Sequence, residues 1–442
     1  MFLPTSGNRW GTDVNNVGNN GNYWSSTENN ENNAYNVNFN SNNLNPQNNN
    51  NRNNGFSVRL AQDFTLLQDL FRAYYDARRH KRKTHSQLEF EIDLERNLID
   101  LYCELRDRTY RPSSSICFII TDPKKREVFA SAFRDRVVHH LYYNYVVAYC
   151  DKQFIYDSYS CRVGKGTLFG IERLEHHIRS VSDNYRHEAY VLKLDLQGYF
   201  MSISREALRT RVHKMLQPFL ESGEVGDEKA DFIRWLTDVI CTKNPLDACR
   251  IRGKRSDWNG LPPSKSLWHS PQGVGLPIGD LTSQLFSNIF LNDLDRFVVD
   301  RLGFVHYGRY VDDFYLLDRS KERLQVAVEQ IASFLSDMGM TLHPKKIILQ
   351  PVSLPLCQQK VPALEFLGAL VYPHYRHCTR RTSAKYHRKC HEWALLLADI
   401  GGVLGQGIGN EPWECHARSW LQVWQSWQSY RGYLSHFRAN RL

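Results

Sequence analysis

Apolar positions along this chain change period several times. Phe64, Leu67, Leu70, Phe71 and Tyr74 recur at the spacing of one helix face. That predicted helix runs into the basic block Arg78-Arg79-His80-Lys81-Arg82-Lys83, which suits either a solvated face or contact with nucleic acid. A second helical stripe, Leu94, Leu98, Leu101 and Leu105, stops before Pro112. Between about 116 and 200, short β-rich runs (Ile116 to Thr121, Tyr190 to Leu196) alternate with helical pattern, predicting an α+β sheet with helices on one face. Residues 222–270 are polar and rich in Gly and Pro, the pattern of an insertion or long loop. Helix and strand patterns then alternate to about Tyr372. From 380 the chain is basic and helical, with Trp420, Trp424 and Trp427 at i, i+4 and i+7, a stripe that favours a small core over a base-stacking platform.

Composition changes this picture at the N-terminus. Roughly four in ten of the first 54 residues are Asn, so residues 1–60 read as a low-complexity segment without the apolar content to fold alone, and disorder is the expectation there. The net charge of +9 favours an anionic partner such as nucleic acid. Ten Cys without paired spacing and no charged-then-apolar leader argue against disulfides and secretion. No apolar run approaches the roughly 20 residues of a membrane helix. A soluble, cytoplasmic protein is expected.

The chemistry concentrates at Tyr310-Val311-Asp312-Asp313, two carboxylates between apolar, aromatic-rich runs. Such a pattern fits a hairpin whose tip carries the acids. An Asp pair at a turn is by itself most often a solvated turn. A second run, Tyr190-Val191-Leu192-Lys193-Leu194-Asp195-Leu196, places another Asp at the end of an apolar strand. Three carboxylates from two strands suit two hard divalent cations about 4 Å apart, the arrangement that supports in-line phosphoryl transfer.

In order, Lys193-Leu194-Asp195 with Phe200, then Gly275-Leu276-Pro277-Ile278-Gly279-Asp280-Leu281-Thr282-Ser283-Gln284, then Tyr310-Val311-Asp312-Asp313, resemble the palm of reverse transcriptases. Upstream, Pro123-Lys124-Lys125-Arg126, Phe133-Arg134-Asp135-Arg136-Val137-Val138-His139-His140 and Ser160-Cys161-Arg162-Val163-Gly164-Lys165-Gly166 resemble fingers motifs. Downstream, Met338-Gly339-Met340 to Lys345-Lys346 and Phe366-Leu367-Gly368 resemble later palm motifs, including the primer grip. The resemblance covers about residues 60–442. It implies a right-hand polymerase fold with fingers at 61–185, a palm at 186–375 holding the 222–270 insertion, and a helical thumb at 376–442.

The resemblance also implies roles. Asp195, Asp312 and Asp313 are catalytic and, with Leu196, hold two Mg²⁺ ions. Lys124 and Arg126 meet the triphosphate, and Lys346 or Lys345 meets the pyrophosphate. Phe200 excludes a 2′-hydroxyl, Gly279 lets the backbone approach the nucleotide, and Ile278 and Gln284 line the same site. Arg134, Arg136, Arg162, Lys165, Tyr310 and Gly368 contact template or primer. The partners expected are template RNA, primer, deoxynucleoside triphosphates and a small basic accessory protein.

Ile278 before Gly279, with Ser283-Gln284 after it, resembles the reverse transcriptases of diversity-generating retroelements, where many bacterial relatives carry Gln before the Gly and Ser-Pro after it. Ile cannot make the hydrogen bonds of Gln, so lower fidelity is expected. The head supports the same assignment. Gly21-Asn22-Tyr23-Trp24-Ser25-Ser26-Thr27 and Asn54-Gly55-Phe56-Ser57-Val58-Arg59 resemble the variable end of C-type-lectin-like target proteins, and a template repeat misread at adenines is rich in Asn codons. Two rivals stand beside this reading: another bacterial reverse transcriptase, of group II intron or retron type, and a nucleic-acid-binding module on an inactive polymerase fold.

Overall fold

The computed structural model describes residues 63–405, apart from 80–83, Pro123 and 356–360, together with strands between residues 8 and 58 and Trp424, Trp427 and Gln428. His80 to Lys83 of the basic block, Pro123 and Trp420 lie outside the described residues. The chain divides into two units: Met1–Pro112 with Ala132–Leu141, and Ser113–Ser131 with Tyr142–Leu442.

In the first unit, helices Asp63–Arg78 and Leu94–Arg106 follow the predicted stripes. Leu70, Tyr74, Leu98, Leu101 and Leu105 are buried with Phe133 and Val137. Phe133 makes edge contacts with the rings of Tyr74 and Phe90. Thr84 caps the intervening helix His85–Ile92 by accepting from the Gln87 amide.

The head departs from the expectation of disorder. Gly21–Glu28, Asn33–Phe39, Leu44–Asn51 and Ser57–Val58 form one sheet, and Asn8–Trp10 pairs with Asp13–Asn15. The Asn count masked a strand signal: Tyr35, Val37 and Phe39 alternate with Asn36 and Asn38 at period two.

In the second unit a four-stranded antiparallel sheet runs in the order Tyr307–Tyr310, Asp313–Asp318, Ala189–Asp195, Ile348–Ser353. It is buried on both faces, which is why 190–196 and 314–317 read as near-continuous apolar runs. Val191, Tyr315, Leu317 and Val352 face Ile171, Leu174 and Ile178 of helix Thr167–Val181. Leu192, Leu194, Phe314 and Leu316 turn to the other side and are equally buried. A second sheet joins Ser115–Ile120 to Arg126–Ser131 antiparallel and to Arg250–Ile251 parallel. Leu364–Phe366, Ala369–Val371 and Arg376–Cys378 form a third. Helix Arg380–Gly405 follows. Trp424, in the predicted stripe, is 55% exposed, against the small-core reading.

The polar stretch 222–270 is more ordered than a loop. It holds helix Asp227–Thr242, with Phe232, Ile233, Leu236 and Cys241 buried, and a series of 3-10 turns. Its flanking Gly and Pro obscured the helical stripe inside it. The fully buried Glu127 anchors the remainder, accepting from Trp258 Nε1 (2.6 Å), Ser266 Oγ (2.7 Å) and the Leu267 amide (2.7 Å).

A closed polar ring sits beneath the four-stranded sheet. Arg173 donates to both oxygens of Asp157 at 2.6 and 2.9 Å, and His177 lies 3.3 Å from the same carboxylate. His177 Nδ1 meets Tyr315 Oη, which meets Tyr159 Oη at 2.8 Å. Burial alone would raise the Asp157 carboxyl, but hydrogen bonds from His177 and Arg173 outweigh it and hold it at about 2. A carboxyl depressed on folding contributes stability above its unfolded value near 3.9, and that contribution is lost as pH falls towards 2. Asp157→Asn is therefore expected to cost about 2 kcal/mol at pH 7 and almost nothing near pH 2. Urea midpoints of both proteins at pH 7, 4 and 2.5 test this, and a constant difference would contradict it.

Candidate active site

The register of two strands brings the carboxylates together. Asp313 pairs across from Asp195, Tyr315 from Lys193 and Leu317 from Val191, so these six share one sheet face. That face is apolar at one end and charged at the other. Tyr310 pairs with Asp313, leaving Val311 and Asp312 as a two-residue hairpin turn. Val311 has φ +57°, as the first central residue of a II′ turn requires. The turn is pinned from both sides: Arg309 Nη1 donates to the Val311 carbonyl (3.0 Å), and the Leu196 amide donates to the Asp312 carbonyl (3.2 Å). Beyond Asp195 the chain pairs with 341–343, through Gln197 N to Thr341 O and His343 N to Asp195 O.

Two lysines neutralise the acids. Lys346 Nζ lies 2.6 Å from Asp195 Oδ2, and Lys193 Nζ lies 3.3 Å from Asp313 Oδ2 while donating to the Glu365 carbonyl. Burial raises the Asp313 carboxyl to about 6 despite Lys193, with Asp195 and Asp312 adding to the rise. Burial and then Asp195 raise Asp312, while Lys346 and Arg126 pull it back. The Oδ1 atom of Asp313 is buried without a hydrogen-bond partner among the described residues. An orphaned carboxylate oxygen beside two further acids is where a hard cation fits. No group of three or more His, Cys, Asp or Glu among the described residues forms a ready-made metal cage.

Cations gather around these acids. Lys124 is exposed, and its ammonium is lowered by desolvation and then by Lys346, Arg381 and Lys265, with Asp195 opposing. The structure separates the two candidate lysines, since it is Lys346 and not Lys345 that reaches Asp195. Phe200 is half-buried, its ring 5.3 Å from that of buried Tyr199, and its carbonyl accepts from the Leu276 amide. Ile278 packs against Cys117, Phe129, Met201 and Leu267. Gln284 is exposed on helix Leu281–Arg296. Gly279 has φ +146°, and a Cβ there would lie 2.2 Å from the Phe129 carbonyl oxygen. Its glycine is thus demanded by the neighbouring strand Arg126–Ser131, a different reason from close approach to a nucleotide.

Several expected nucleic-acid contacts are spent inside the protein. All five N–H donors of Arg162 are used, on the Asp151 carboxylate and on the carbonyls of Asp151, Ile155 and Ser158. It staples the loop before helix Thr167–Val181 and has none left for a phosphate. Lys165 donates to the Tyr156 carbonyl and lies 4.4 Å over that ring, with burial and Arg162 lowering its ammonium to about 8. Arg134 pairs with Glu104 at 2.5 Å and stacks on Tyr110. Arg136 is half-buried on the same helix, Phe133–Gln153. Tyr310 is half-buried against the core beneath the sheet. Gly368, φ +84°, closes a two-residue turn with Leu367 between two paired strands.

Residues 123–370, more than half of the chain, match the family model described as reverse transcriptase (RNA-dependent DNA polymerase). The chain belongs to the reverse transcriptase family. Domains of this family generally use divalent metal ions. Residues 1–61 match a second model, described as a domain of unknown function. No curated protein matches. Among solved structures, truncated apo telomerase from Candida tropicalis is similar at 13% identity and TM-score 0.41, covering 60% of this chain and 55% of that one. Telomerase from Candida albicans with a fragment of telomeric RNA is similar at 12% identity and TM-score 0.40, covering 63% and 46%. The chain thus spans about half the length of these telomerases. No helix among the described residues is long and apolar enough to cross a membrane.

Sequence reasoning missed four cations at or beside the site: Lys193, Lys265, Arg381 and Arg309. Lys193 was readable, because it lies two residues from Asp195 on one strand face. Arg309 left a signal too, a charge inside the strand Tyr307–Tyr310. Nothing local marks Lys265 or Arg381.

Proposed function

We propose that the chain extends a primer 3′-hydroxyl with deoxynucleotides on template RNA, with two Mg²⁺ ions held by Asp195, Asp312, Asp313 and Leu196, and that its product is mutagenic cDNA. The observation that carries the metal reading is the register of Asp195 opposite Asp313, beside Asp312 and with an orphaned Asp313 oxygen. Bound Mg²⁺ lowers the pKa of the attacking hydroxyl and stabilises charge on the leaving pyrophosphate. Lys124, Arg126 and Lys346 meet the triphosphate, where fixed cations offset charge on the leaving group. Phe200 lies under the sugar and excludes a 2′-hydroxyl. Gln284, on its exposed helix position, borders the nucleotide, while Tyr310 and Gly368 border the primer. In this right-hand arrangement residues 61–185 form fingers, 186–375 the palm and 376–442 the thumb.

The finer role, diversification of a target gene by adenine-directed errors, is supported by Ile278. Its side chain is held by apolar neighbours and offers no hydrogen bond to police base-pair geometry. The lectin-like flanks of the Asn-rich head support the same reading, as residues of a translated template repeat, and a small basic accessory protein and a cytoplasmic location go with it. Ile278→Gln restores a polar group near the incoming nucleotide. A hydrogen bond there is worth on the order of 1 kcal/mol, so errors at template adenine are expected to fall several-fold. Sequencing cDNA made from one defined RNA, with errors at A compared with those at G, C and U, tests this. Full synthesis with an unchanged adenine error rate would refute this account of the mutagenic role.

A further inference from the structure

Arg309 is the largest fully buried side chain among the described residues, at 0% exposure, and it lies directly behind the turn that carries Asp312 and Asp313. Its guanidinium donates from Nε to Asp295 Oδ1 at 2.7 Å and from Nη2 to Asp295 Oδ2 at 2.6 Å. Nη1 reaches the Val311 carbonyl at 3.0 Å and Asn288 Oδ1 at 3.4 Å, and Nη2 also reaches Ser158 Oγ at 3.4 Å. Asp295 is also fully buried and accepts from Tyr307 Oη at 2.7 Å. The Arg309 backbone is fixed as well, its amide to Asp157 O and its carbonyl to Tyr159 N.

A buried ion pair of this kind is weak support for stability, since apolar residues of similar volume often serve as well. Its placement suggests another purpose. Val311 is β-branched and holds φ +57°, where Gly is the ordinary occupant and a branched residue is strained. Among the described residues, the side-chain hydrogen bond to the Val311 carbonyl comes from Arg309. Its planar fork spans the Asp295 carboxylate and that carbonyl together, which the single ammonium of Lys cannot do.

We propose that Arg309, locked by Asp295, is a positioning residue that holds Val311 in its strained conformation and so aims Asp312 and Asp313 at the metal ions. This deepens the metal reading above and rests on it.

The test uses the full chain, with Mn²⁺ binding followed by electron paramagnetic resonance and single-nucleotide incorporation followed in parallel. Arg309→Lys keeps the charge beside Asp295 but loses the clamp. Mn²⁺ affinity and kcat are each expected to fall about tenfold or more, with KM for the deoxynucleotide within about twofold and Tm within a few degrees. Adding Val311→Gly, which adopts positive φ without strain, is expected to recover part of both losses. Where Arg309→Lys does not fold, the triple variant Arg309→Met, Asp295→Leu, Tyr307→Phe replaces the network with apolar groups and is held to the same expectation. A folded variant with wild-type Mn²⁺ affinity and kcat overturns the proposal, as does a loss that Val311→Gly leaves untouched. Failure of both variants to fold assigns the pair to stability and also overturns it. Wild-type protein that binds no Mn²⁺ sinks the metal reading itself, a result distinct from any of these.

Discussion

Replacing Asp312 or Asp313 with Ala is expected to abolish Mg²⁺-dependent incorporation of deoxynucleotide on a primed RNA, with the protein still folded. Asp313 lies at the charged end of a sheet face whose apolar end carries the packing, and Asp312 lies in the turn before it, so removal of either leaves the core of Val191, Tyr315 and Leu317 intact. Stability should even rise slightly on loss of Asp313. Its carboxyl is raised by burial to about 6, so the folded state opposes its ionisation. A group raised on folding disfavours the fold above its unfolded value near 3.9, and the full effect is present above about pH 6. Asp195→Ala is expected to lose synthesis in the same way and to free Lys346. Thermal melting and gel-resolved primer extension are the two measurements. Near-normal synthesis by either Asp312→Ala or Asp313→Ala would remove these residues from the chemistry.

Gly279→Ala should be among the most damaging substitutions of a single methyl in the chain. The added Cβ would meet the Phe129 carbonyl oxygen at 2.2 Å and the carbonyl carbon at 3.2 Å, both of them backbone in a paired strand. Neither atom can rotate aside. Positive φ adds strain of its own, so the expected cost is about 3 kcal/mol or more. The Phe129 amide donates to the Ile278 carbonyl at 2.9 Å, so displacement of this contact moves Ile278 as well, and synthesis is expected to fall with stability. Gly273→Ala is the comparison, with φ +78° and nothing within 4 Å of its added methyl. It should cost only the conformational strain, about 1–2 kcal/mol. Urea denaturation of both variants reads the difference, and equal losses would show that the close approach to Phe129 carries no weight.

What the sequence determined by itself was local or ordered along the chain. The helical stripes at 64–74 and 94–105 and the apolar runs at 190–196 and 314–317 follow from side-chain period and residue type, and the three aspartates stand in motifs that resemble the palm of reverse transcriptases. These properties depend on neighbours a few positions away, so a linear reading captures them. The same reading went astray where composition hid period, in the Asn-rich strands near Tyr35 and in helix Asp227–Thr242 inside a polar stretch.

What only the tertiary structure decided was which group meets which across large sequence separation. Asp195 faces Asp313 because the two strands bury both faces, and a slip of one residue would turn Val191 and Leu317 away from helix Thr167–Val181. That Lys346 reaches Asp195 depends on a short turn folding back onto it. Arg162 looked like a phosphate ligand until its five donors were matched with five internal acceptors. Hydrogen-bonding capacity is a property of the residue, but its availability depends on every partner the fold brings near, and no linear pattern carries that.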